Sequence, residues 1–315
     1  MLSNKWSVLF LTAVAPCVWG TTYIVAAELL PPERPLLTAV LRSLPAGVVL
    51  LVMVRRLPAS GWWWKAFVLG ALNIGVFFAL LFIAAYRLPG GVAATIGAVQ
   101  PLLVALFASH WIGEQLSVKK LTTGLTGLVG VGLLVLQAQA RLDFLGVTAA
   151  LGGALAMAAG VVLTKRWGRP DTLLATTSWQ LIGGGIFLVP LALIIEGPPP
   201  ASFTTANIVG YLYLGIIGTA LAYSLWFRGI HLMPASTAAF LGLLSPLVAT
   251  LCGWSILGES LTPGQILGAV IILVTLVAAN TTWATPRNTF RKTSHGGRTR
   301  PSVAAKNFSN SRRLR

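Results

Sequence analysis

Charge is what this sequence has least of. Only 10% of its 315 residues are charged, and only seven of them are acidic. A soluble domain carries about 25% charged residues and keeps them at its surface. With 56% hydrophobic residues and a mean hydropathy of +0.80, this chain cannot coat itself for water, and the bilayer is its natural solvent. The short alternating segments that build a β-barrel are missing too. Cysteine is scarce: Cys17 and Cys252 lie in separate apolar runs. That argues against a disulfide scaffold or a thiolate metal site and leaves packing as their role. The three histidines, His110, His231 and His295, fall at segment ends or in the tail. No Gly-x-x-x-x-Gly-Lys loop, His-Glu-x-x-His or Gly-x-Ser-x-Gly motif occurs, so ATP drive from this chain and the matching hydrolytic chemistries are not expected. The expectation is a protein that is not an enzyme and has no resident cofactor or metal.

The net charge of +16 invites a nucleic-acid reading, which fails on position. Nine of the 23 Lys and Arg crowd the last stretch: Arg287, Arg291, Lys292, Arg298, Arg300, Lys306, Arg312, Arg313 and Arg315. Most of the others sit in short connections between apolar runs, which is how helices are oriented in a membrane. The tail's Ser, Asn, Gly and Arg content reads as a disordered, solvated segment. Its charges also suit anionic headgroups.

What the sequence does have is a repeat. Residues 88–116, LPGGVAATIGAVQPLLVALFASHWIGEQL, return at residues 233–261 as MPASTAAFLGLLSPLVATLCGWSILGESL. Without a gap, Pro89, Ala93, Gly97, Pro101, Gly113 and Glu114 reappear as Pro234, Ala238, Gly242, Pro246, Gly258 and Glu259. Each copy is apolar and long enough to cross a bilayer, so this is an internal duplication within a membrane protein.

Ten apolar segments follow from hydropathy, at residues 6–27, 35–54, 64–85, 92–112, 121–137, 144–164, 173–195, 208–227, 235–257 and 264–283. The fold class is thus all-α and polytopic, with ten transmembrane helices. The first segment is read as a retained helix, because its apolar character continues past the cleavage-like Ala13-Val14-Ala15. Five helices per half, residues 1–140 and 141–283, followed by a basic tail at 284–315, make two inverted-topology repeats. An odd number of crossings turns the second copy upside down. Basic residues set the orientation. With the N-terminus inside, the inner connections hold Lys5, Arg55, Arg56, Lys65, Lys119, Lys120, Lys165, Arg166, Arg169, Arg228 and the tail. The outer ones hold Arg34, Arg87 and Arg141. Both termini are therefore expected in the cytoplasm.

Polar groups at membrane depth are costly and so informative. Arg42, two turns into the second segment, keeps its charge at any relevant pH and suits a substrate carboxylate or phosphate. A structural partner such as Glu28 or a helix C-terminus is the competing role. Trp19, Thr22, Tyr23, Asn73, Gln100, Gln180 and Tyr223 complete the candidate binding set, with Trp179 and Trp226 as further amphipathic rings. Pro101 and Pro246 are expected to kink their helices near mid-membrane. Gly97 and Gly242 belong to stripes of small residues that allow close helix approach. The paired Gly113-Glu114 and Gly258-Glu259 suit capping or hinging. Trp62, Trp63 and Trp64 read as interfacial anchors. No carboxylate sits at mid-membrane, so a proton relay cannot be named.

These residues carry a resemblance. Trp19-Gly20-Thr21-Thr22-Tyr23, Arg42, and the two runs from Pro101 to Glu114 and from Pro246 to Glu259 resemble the drug/metabolite transporter superfamily, in its EamA-domain branch. WGTTYIVAAELLPPERPLLTAVLRSLPAG (19–47) and LNIGVFFALLFIAAYRLPGGVAAT (72–95) are similar to its PecM-type pigment and metabolite exporters. The resemblance implies a central cavity between the halves. It also implies export of amino acids, related metabolites or drugs across a bacterial inner membrane. Gln180 falls roughly where Arg42 does in the first half, so recognition of charge would be one-sided. The expected partners are a small-molecule substrate and the lipid bilayer, not nucleic acid, with a homodimer left open. The alternative class is a non-transporting membrane sensor or regulatory partner that works through the basic tail.

Overall fold

Among the described residues of this computed structural model, ten helices are long and apolar enough to cross a membrane. Residues 5–88, 90–135, 143–258 and 260–284 are described. The basic tail, the junction at 136–142, Pro89 and Glu259 fall outside the described residues. In chain order α1 is Lys5–Leu29, α2 is Pro35–Val54, and α3 runs from a 3₁₀ turn at Ser60–Trp62 through to Arg87. Next, α4 comprises Gly90–Gly97 and Gln100–Ile112, α5 is Val118–Val135, α6 is Phe144–Trp167 and α7 is Leu173–Ile195. Finally, α8 extends from Thr205 to Leu232, α9 comprises Ala235–Leu241 and Leu244–Ile256, and α10 is Pro263–Ala284.

Two irregularities were not anticipated, and both obey the repeat. In α3 a π-helical turn occupies Ala71–Val76; in α8 one occupies Ile216–Leu221. The offset is the one that relates residue 88 to residue 233. Likewise α4 is interrupted after Gly97 and α9 after Leu241. Each break lies one turn ahead of a proline expected to kink its helix, beside the carbonyl that the proline ring displaces. Pro101 stands in the first turn of Gln100–Ile112 and Pro246 near the start of Leu244–Ile256, so each proline begins a helix. The physical reason is that a first-turn N–H needs no intrahelical acceptor, so Pro loses nothing there. Ahead of each proline, tight turns close the preceding piece: Val99 N–H donates to Ile96 O at 3.1 Å and Leu243 N–H to Phe240 O at 3.1 Å. Gly113 and Gly258 end α4 and α9 with φ of 70° and 69°, in the left-handed region that glycine enters without a Cβ clash.

Contacts between connections sort the loops onto two faces, as ten serial crossings require. On face A, Arg34 Nη1 donates to Pro198 O at 2.5 Å, and the Glu196 carboxylate accepts the Leu36 and Leu37 N–H groups at 2.5 and 2.8 Å. On face B, Arg56 pairs with Asp171 at 2.9 Å. Also on face B, Glu114 accepts from Ala235 N–H at 2.6 Å and from Ser236 Oγ at 2.8 Å. Glu114 and Glu196 thus place negative charge on the first amides of α9 and α2, where orphan donors and the helix dipole favour an anion.

The most extensive helix pairing is α2 against α7. Side chains added at Gly47 would strike Ile182, and at Gly185 would strike Leu44, both at 2.8 Å. These reciprocal contacts define a pseudo-two-fold axis between the helices. The offset that relates Gly47 to Gly185 also relates Arg42 to Gln180. Close approach through small residues is how helices associate where lipid removes the hydrophobic drive. Facing outward are apolar side chains such as Met53, Ile194 and Phe144, 67%, 80% and 83% exposed, the surface a bilayer covers. Near face B, Trp64 and Trp167 meet edge to face at 5.0 Å, with the Lys65 ammonium 5.7 Å from the Trp64 ring.

Candidate functional site

An irregular stretch of helix holds the side chains that border a cavity. In α8, the Gly218 carbonyl of the π turn accepts from two side chains. Arg42 Nη2 donates to it at 2.9 Å, and Trp19 Nε1 does so at 3.1 Å. Arg42 Nε donates to Thr219 Oγ1 at 3.0 Å. The guanidinium also lies 5.3 Å from the centre of the Phe78 ring. A widened turn removes carbonyls from the regular ladder and offers them to side chains, which is why π turns recur at functional sites. The residue that satisfies Arg42 is therefore not the exposed Glu28 but helix backbone from the other half of the molecule.

Around these groups lies a cavity of about 440 Å³. Its walls are Trp19, Thr22, Phe77, Phe78, Met157, Tyr223 and Trp226, with Arg42, Gln100, Gly242 and Ser245 among them. It reaches face A beside the Pro31–Pro35 connection, where Glu33 and Arg34 stand at the mouth. Below that mouth Arg42 is the one charged lining residue among the described residues. Trp19 anchors an aromatic cluster, its ring 5.0 Å from Tyr223 and 5.3 Å from Trp226. Thr22 Oγ1 and Trp226 Nε1 are buried with no hydrogen-bond partner among the described residues. Unsatisfied buried polar atoms cost about 1–3 kcal/mol each, and a ligand that supplies acceptors relieves that cost.

A model of the EamA-like transporter family matches the chain twice, at residues 6–136 and 144–281. The chain belongs to that family. It is 46% identical over 265 residues to protein PecM of Dickeya dadantii (strain 3937), covering 84% of this chain and 89% of PecM. A probable amino-acid metabolite efflux pump of Salmonella typhimurium is 26% identical over 281 residues, covering 85% of this chain and 92% of the pump. One solved crystal structure aligns with a TM-score of 0.75 at 19% identity, over 88% of this chain and 97% of that one, which shows the fold. This EamA protein is thus a PecM-like member of the drug/metabolite transporter superfamily: a multi-pass bacterial membrane transporter rather than an enzyme.

Within this EamA fold the anticipated residues divide. Trp19, Thr22, Arg42, Gln100 and Tyr223 line the cavity. Asn73 and Gln180 do not. They form a separate buried cluster in which Asn73 Nδ2 donates to Gln180 Oε1 at 3.0 Å and to Thr164 Oγ1 at 3.2 Å. Tyr23 lies on α1, but its side chain is outside the described residues, as is Glu259. Trp179 is also away from the cavity, donating to the Arg56 carbonyl at 2.8 Å on face B. Gly242 lines the cavity, whereas among the described residues nothing lies within 4 Å of a side chain added at Gly97. Sequence reasoning missed Phe77, Phe78, Met157 and the Gly218-Thr219 pair. Apolar residues carry no individual signal in an apolar chain. Gly218 was detectable only as the repeat partner of Asn73.

Proposed function

We propose that this protein is an inner-membrane secondary transporter that exports amino acids, related small metabolites or drugs by alternating access. Its substrate site is the cavity above Arg42. The observation that carries the reading is an aromatic-walled cavity between the two halves, open to one face, with a guanidinium at membrane depth. Such a wall accepts the apolar body of an amphipathic solute, and the fork of Arg42 orients its carboxylate or other anionic group. The volume fits a small metabolite rather than a peptide. Face B carries Arg55, Arg56, Lys119, Lys120, Lys165, Arg166, Arg169 and Arg228, against Arg34 and Arg87 on face A. That asymmetry supports face B as the cytoplasmic side, with both termini there. The conformation described is then outward-open. The efflux-pump name of the Salmonella relative supports the export direction. The test is flux of an amino-acid and metabolite panel from proteoliposomes, wild type beside Arg42→Ala. Loss of anionic or zwitterionic flux in a folded variant supports the reading. Absence of flux for every solute with the wild type overturns it.

A further inference from the structure

We propose that Arg169, Arg228 and His231 form a second site, on face B and apart from the transport cavity, that binds a phosphate-bearing anion. These three line a distinct cavity with Leu173 and Leu232. Arg228 lies in the last turns of α8, half-buried, and its Nη1 is buried with no hydrogen-bond partner among the described residues. Leaving a charged donor unsatisfied costs more than leaving a neutral one, and an acceptor entering from outside removes that cost. The neighbouring acids are engaged elsewhere. Asp171 accepts from Arg56 at 2.9 Å and from Thr172 N–H at 2.5 Å. Glu114 holds Ser236 and lies 3.7 Å from Lys120. Neither Arg169 nor Arg228 forms an ion pair among the described residues.

The end of α8 would ordinarily repel an anion, because its last carbonyls are partly negative. Here Lys165 covers them. Its Nζ donates to Ile230 O at 3.2 Å and also to Met233 O. The cavity is therefore left with two guanidinium forks, the geometry that matches phosphate oxygens two at a time. Its lip is apolar: Leu232 is 49% exposed beside Leu173. A phospholipid headgroup would seat its phosphate on the arginines and its acyl chains along that lip. A free phosphate would use the arginines alone.

The experiment uses the purified full chain. Retention of phosphatidylglycerol against phosphatidylcholine is counted by native mass spectrometry, and thermal stabilisation by inorganic phosphate is read beside it. The variants are Arg228→Ala, Arg169→Ala and, as a charge-matched control on face A, Arg87→Ala. Phosphatidylglycerol retention should fall about tenfold, roughly one lost charge-assisted contact, in the first two variants and not in the third. If inorganic phosphate alone stabilises the protein, and stabilisation disappears in the same two variants, the site stands with a soluble occupant. Equal retention in wild type and both variants with no phosphate effect overturns the proposal. So does an equal fall in all three variants, or no preference over phosphatidylcholine. Arg169 is on an exposed connection, so Arg169→Ala decides the matter should Arg228→Ala fail to fold.

Discussion

At matched depths from opposite faces, the two halves place different chemistry at one structural position. In the first half Arg42 reaches the π turn of α8 and borders an open cavity. In the second half Gln180 meets the π turn of α3 through Asn73 and is sealed, 4% exposed. Asn73 and Gly218 correspond by the repeat offset, so both clusters join a residue of a crossing helix to the same point of a widened turn. The scaffold is duplicated and the electrostatics are not. A cation needs a stronger set of acceptors than an amide does when both leave water, and the first half supplies them beside space for a ligand. The neutral cluster lines neither cavity, and Asn73 Oδ1 is left there with no hydrogen-bond partner among the described residues.

The comparison breaks most severely at Arg42. Arg42→Ala should cut flux of an anionic or zwitterionic solute by tenfold or more, in line with the loss of roughly 1.5–3 kcal/mol from a hydrogen bond to a charged group. Gln180→Ala, measured in the same proteoliposomes, should cut flux less. Equal effects at the two positions would end the idea of a one-sided site. Exchanging the residues, Arg42→Gln with Gln180→Arg, should destabilise the protein by several kcal/mol, because the sealed cluster would have to bury a guanidinium charge with only neutral groups around it. A lowered melting temperature in detergent checks this, and an unchanged one refutes it.

Smaller effects sharpen the comparison at the repeat motif. Glu114→Ala removes the carboxylate on the first amides of α9 and should cost about 1–2 kcal/mol of thermal stability, as other N-terminal capping losses do. Glu114→Gln should recover part of that. Gly97→Ala should change stability by less than about 0.5 kcal/mol, as expected where no packing is disturbed. Gly242→Ala places a Cβ 3.1 Å from Ala239 O and should be the more costly of the pair. Smallest of all, truncation after Ala284 should leave flux intact. Loss of flux there would favour the regulatory reading of the basic tail.

Much of the architecture was legible because lipid simplifies the code. Charges cannot lie in hydrocarbon, so ten apolar runs give ten helices, and the duplicated Gly-Glu motif exposes the repeat. The site was legible only where a residue was an exception to its surroundings. Arg42 stood out for that reason, as did Trp19, Thr22, Gln100 and Tyr223. The same reasoning set Asn73 and Gln180 beside them, because a polar residue inside an apolar segment looks alike whether it faces a cavity or another polar residue. The prolines marked where α4 and α9 break, but only the backbone shows that each one stands in the first turn of a new helix.

By itself the sequence determined the solvent, the number of crossings, the duplication and the odd-numbered inversion, since each follows from hydropathy, charge placement and spacing along one dimension. The tertiary structure decided which polar residues meet. It satisfied Arg42 with a π-turn carbonyl from the opposite half and sealed Gln180 with Asn73. It also left Arg228 Nη1 without a partner among the described residues, in a cavity that Arg169 shares. Those outcomes depend on how helices distant in sequence pack and on where a helix departs from its regular turn, and neither is written in the local pattern of residues.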